Sequence, residues 1–160
     1  MSIFFDTKIS VLTTALTALG WIDNVYGLVT TGVDSEGTYP ELDGVTRVMP
    51  KGNSISFFKP EAQYSGINEE FEYTTTMALV VWGDLTKIDP TKQYNYTADL
   101  LKDCVNVLRE NSCYDFTINF SSPFEGYSQL DKEPYQNIAL PYTGFKITFS
   151  TILLMGVELN

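Results

Sequence analysis

The stretch EFEYTTTMALVVWGDL, residues 70–85, constrains the fold more than any other part of the chain. Its first half alternates, with Phe71, Tyr73 and Thr75 set against Glu72, Thr74 and Thr76. Alternation of this kind suits a strand with one solvated face. Its second half, residues 77–82, is apolar throughout. A continuous apolar run suits a strand covered on both faces. Gly83-Asp84 then ends the run. The pattern predicts a strand that begins as an outlying ribbon and ends in the middle of a covered sheet.

Helices to cover such a sheet are legible in two places. In residues 3–19, Phe5, Ile9, Leu12, Leu16 and Leu19 recur at helical spacing and form one apolar stripe. Gly20 suits the end of this helix. Thr13, Thr14 and Thr17 weaken its intrinsic propensity, so packing must hold it. Residues 96–110 predict a second helix with Ala98, Leu101, Val105 and Leu108 as its stripe and Cys104 beside them. Asn95 or Thr97 suits its N-cap, Asp99 favours its first turn, and Asn111-Ser112 terminates it.

Further strands are expected over 25–33, 45–49, 55–58, 115–120 and 144–156. DSEGTYPELDG has the composition of turns, and Lys59-Pro60 is expected to stop the third strand. Residues 61–69 then read as a polar connection, TKIDPTKQYN as a linker, and 121–143 as a hairpin or a long loop. The chain has 160 residues and is 44% hydrophobic, enough for one domain with a substantial core. The expected fold is therefore a single α+β domain over 1–160. It has a mixed, mainly antiparallel sheet, two helices packed on one face, and an extended hairpin or loop.

Charge narrows the partners. Twenty carboxylates against ten Lys and Arg give a net charge of −10. Non-specific nucleic-acid binding needs cations to neutralise phosphates, and docking on an anionic membrane needs them too. Neither partner is expected. The charge is also uneven. In residues 32–72 eight acids face three bases, so half of the net charge sits in about a quarter of the chain. This is either a solvated loop face or a surface that repels anions or binds cations.

The reactive side chains are few. There is no histidine, which removes the usual general base at neutral pH and most transition-metal sites. No phosphate-cradling glycine motif follows a strand. DSEG and ELDG do not match a calcium loop and read as turns. Some carboxylate pair is inevitable among twenty, so pairing alone is no sign of acid–base catalysis. Cys104 and Cys113 lack metal-site spacing and read as structural thiols, a disulfide being open but not implied. No enzyme activity, cofactor or metal is expected. Tyr127, Tyr135 and Tyr142 have rings that can stack on sugars or bases, although an aromatic-rich loop is more often a core lid or a protein interface. MSIFFDTK lacks the basic region and long apolar run of a secretory signal. FKITFSTILLMG is too short to span a bilayer and reads as a buried strand.

The order of elements resembles the tail-terminator and tail-completion proteins of tailed bacteriophages and their prophage relatives. The likeness lies in the helix ending at Leu19, the strand MALVVWG, the helix YTADLLKDCVNVLREN and the closing strand FKITFSTILL. It implies a virion structural protein that self-assembles into a ring, commonly a hexamer, and caps the tail tube where it joins the head connector. Its partners would be further copies of itself, the tail tube and the connector. Its place would be the virion tail or neck, assembled in the cytoplasm of a bacterial host. The resemblance also gives a use to two sets of residues, as pore lining or subunit interface: the acids Asp34, Glu36, Glu41, Asp43, Glu69, Glu70 and Glu72, and the rings of Tyr127, Tyr135 and Tyr142. The alternative reading is a non-enzymatic module that binds a small ligand or carbohydrate.

Overall fold

The computed structural model describes residues 3–35, 37–42, 45–46, 52–67, 72–92, 96–123 and 141–154, with backbone alone at 3–6, 28–34, 37–42, 45–46, 60–67, 72–73 and 154. The order is α1 (Ile3–Thr17), β1 (Asn24–Asp34), β2 (Gly37–Leu42), β3 (Val45–Thr46), β4 (Ser54–Ile67), β5 (Glu72–Asp84), α2 (Leu85–Ile88), α3 (Thr97–Glu110), β6 (Cys113–Asn119) and β7 (Tyr142–Leu154). The strands lie side by side in the order β3-β2-β1-β4-β5-β7-β6. β1 and β4 run parallel. The remaining ladders are antiparallel. The protein is α+β, with a mixed and mainly antiparallel sheet.

The apolar half of the opening stretch behaves as its pattern predicts, while the side chains of residues 70–73 lie outside the described residues. β5 is central, flanked by β4 and β7 along its length. Register fixes which residues share a face, because directly paired residues point to the same side. Phe58, Leu79 and Ile147 form one row, Met77 and Phe149 another, and Val81 and Phe145 a third. Onto these rows pack Ile9, Leu12 and Leu16 of α1 and Leu100, Cys104, Val107 and Leu108 of α3, in one core. Both helices thus cover the same face. The other face carries Ile55, Phe57, Ala78, Val80 and Trp82, all buried outside that core. The apolar half of β5 is dry on both sides for this reason.

Three expectations need correction. Pro60 does not end β4, which continues to Ile67, so most of the expected polar connection is strand. Proline is tolerated because β1 pairs with β4 only as far as Leu28 and Phe58, and the β4–β5 register shifts between Pro60 and Ala62. The missing amide hydrogen therefore falls at a bulge on an otherwise unpaired edge. The DSEGTYPELDG run is not all turn, since Gly37–Leu42 pairs with β1 as β2. Pro40 is again accommodated where only one neighbour pairs, because β3 reaches only Glu41 and Leu42. The expected linker after β5 begins with the short helix α2, whose first turn is capped by the Asp84 carboxylate accepting from the Thr86 amide.

Smaller differences follow the same logic. The buried stripe of α3 runs through Leu100 rather than Ala98, which is exposed, while Leu101 and Val105 flank it half-buried. Its N-cap is Tyr96 and makes no side-chain capping bond. Asn95 lies outside the described residues, and Thr97 instead pairs its hydroxyl with that of Thr143 at 2.8 Å. The helix ends at Asn111, with Ser112 in the left-handed region at φ 64°, as the Asn-Ser pair predicts. β6 starts at Cys113, earlier than expected, and stops before Phe120. The expected strand at 45–49 is described only over Val45–Thr46. The expected hairpin or loop at 121–143 falls largely outside the described residues, and its last two residues belong to β7.

Candidate functional site

The acids singled out from sequence divide by topology. β1 ends at Asp34, paired with Gly37. β5 begins at Glu72, paired with Leu154. β1 runs parallel to β4, and β4 antiparallel to β5. The last residue of β1 and the first of β5 therefore lie at the same end of the sheet. Glu41 sits within β2, opposite Thr30 and Thr46. Glu36, Asp43, Glu69 and Glu70 lie outside the described residues. Glu36 belongs to the connection between β1 and β2, and Glu69 and Glu70 to that between β4 and β5. Both connections depart from the Asp34 and Glu72 end.

Of the three tyrosines, Tyr127 and Tyr135 fall outside the described residues. Tyr142 opens β7 and stacks on Trp82, with centroids 5.6 Å apart and planes at 21°. Both lie on the sheet face away from the helices, since Asp84 pairs with Tyr142 and Trp82 with Gly144. One side of the Tyr142 ring is occupied by an intramolecular partner, so it serves first as part of the fold.

Cys104 and Cys113 are free and buried. Burial pushes the Cys104 thiol far above its ordinary range, with the nearby Asp103 charge adding to the effect. Burial also raises Cys113, against the opposing pull of Lys8 and a hydrogen bond with Thr151. A reactive cysteine needs a lowered pKa and access to solvent, and neither thiol has these. Among the described residues no cluster of three or more Cys, Asp or Glu is placed to hold a metal ion.

Sequence reasoning missed the face of β7 that points away from the helices. Lys146, Thr148, Ser150 and Ile152 alternate with the buried Phe145, Ile147, Phe149 and Thr151. The alternation is plain in the sequence, but a long strand flanked by helices invites attention to its apolar positions. The edge neighbour β6 adds Tyr114, Thr117 and Asn119 to the same face. No helix among the described residues is long and apolar enough to cross a membrane. No family profile, curated protein or solved structure matches the chain.

Proposed function

We propose that this chain is a structural subunit of a phage or prophage virion, a ring-forming tail terminator or completion protein that caps the tail tube and joins it to the connector. The observation that supports this reading is the length of the central strands. β4, β5 and β7 run on past the Met77–Phe149 row, through Ala62–Thr76, Gly66–Thr74 and Ile67–Tyr73 on one side and Thr74–Ile152 and Glu72–Leu154 on the other, with Thr75, Thr151 and Leu153 still buried. A long three-stranded extension of the sheet is a surface that one subunit can lay against the next. The acids at the end of this extension would then face the lumen or an adjoining subunit. The absence of histidine is in keeping with a scaffold role. Tyr142, already stacked on Trp82, gives little support to the carbohydrate-binding alternative.

The test is native mass spectrometry together with sedimentation velocity over a wide concentration range. A closed assembly of fixed stoichiometry, six copies being the expected number, supports the reading. A monomer at every concentration contradicts it. Electron microscopy of the protein mixed with polymerised tail tubes would then show density at the tube end.

A further inference from the structure

We draw no further inference here: the strongest candidate, the exposed patch around Ile152 and Tyr114 on the side of β7 and β6 that points away from the helices, is an unpartnered sheet face, and nothing in the structure shows what covers it.

Discussion

Cys104 shows how one buried atom ties stability to pH. Its folded thiol holds its proton well above the ordinary value of 9.0, chiefly because burial disfavours the thiolate. A group whose folded pKa is raised contributes stability that is fully present below the unfolded value and is lost as pH rises past it. Stability should therefore be flat with respect to this group at neutral pH. Above pH 9 the unfolded thiol ionises while the folded one does not, and Cys104 alone should take away about 1.4 kcal/mol per pH unit. Urea melts between pH 7 and 10.5 measure the slope, and Cys104→Ala should make it shallower even if the variant is less stable overall. An unchanged slope in that variant would remove Cys104 as the cause. Tyr96 holds a different kind of junction. Its hydroxyl donates to the Leu85 carbonyl and accepts from the Asp89 amide at 3.0 Å, fastening both ends of α2 to the start of α3. Tyr96→Phe keeps the ring and leaves both backbone groups without this partner, so it should cost about 1–3 kcal/mol in denaturant melts. Lys8 likewise joins two helices, donating from Nζ to the Asn111 carbonyl at the C-terminal end of α3, where a cation is favoured.

Among the elements, those with a strong period were legible and those that depend on pairing were not. The stripe Ile9, Leu12 and Leu16 names the buried face of α1 from sequence alone, and Leu12 and Leu16 are fully buried. Leu16→Ala should accordingly cost about 2–5 kcal/mol, read from thermal or denaturant melts. A loss below 1 kcal/mol would mean that α1 is not packed as described. For α3 the period was right and the phase was off by part of a turn. Ala98 is too short to mark a face, and Leu100 and Val107, on the flank of the chosen stripe, are buried in the core together with Cys104 and the expected Leu108. β2 and the outer half of β4 were missed because their composition is that of turns, and what makes them strands is a partner far along the chain or across a tight connection. Pro40 and Pro60 give correct local signals that the edge positions render harmless. Gly27 is a related case. The β1–β4 register shifts between Val25 and Leu28, and Gly27 takes φ 54° there. A shift of this kind cannot be read from sequence without knowing the pairing. Of the candidate site, the charge imbalance was legible and its placement was not. That Asp34 and Glu72 share one end of the sheet follows only from the parallel β1–β4 ladder.

For the whole molecule, the acidic end decides between a lumen and an outer rim. If DNA passes through a ring of these subunits, lysines at its wall would hold phosphates and carboxylates would let them slide by. Screening limits each charge to about 8–10 Å at physiological salt, so the effect depends on where the acids sit. Replacing Glu69, Glu70 and Glu72 with Lys should leave rings intact and produce salt-sensitive DNA retention in a filter-binding assay. Rings that form normally and retain no DNA would place that cluster away from the pore. The sheet order carries a consequence of another kind, for the time course of folding. β7 lies between β5 and β6, yet residues 85–141 separate it from β5 in the chain. During synthesis β5 is complete, with its Met77–Trp82 run and one row of backbone donors and acceptors open, long before the strand that seals it emerges. Until then the nascent chain presents the feature most prone to aggregation, an apolar strand with an unsatisfied edge. The late arrival of one interior strand makes the last step of folding also the step that protects the protein from itself.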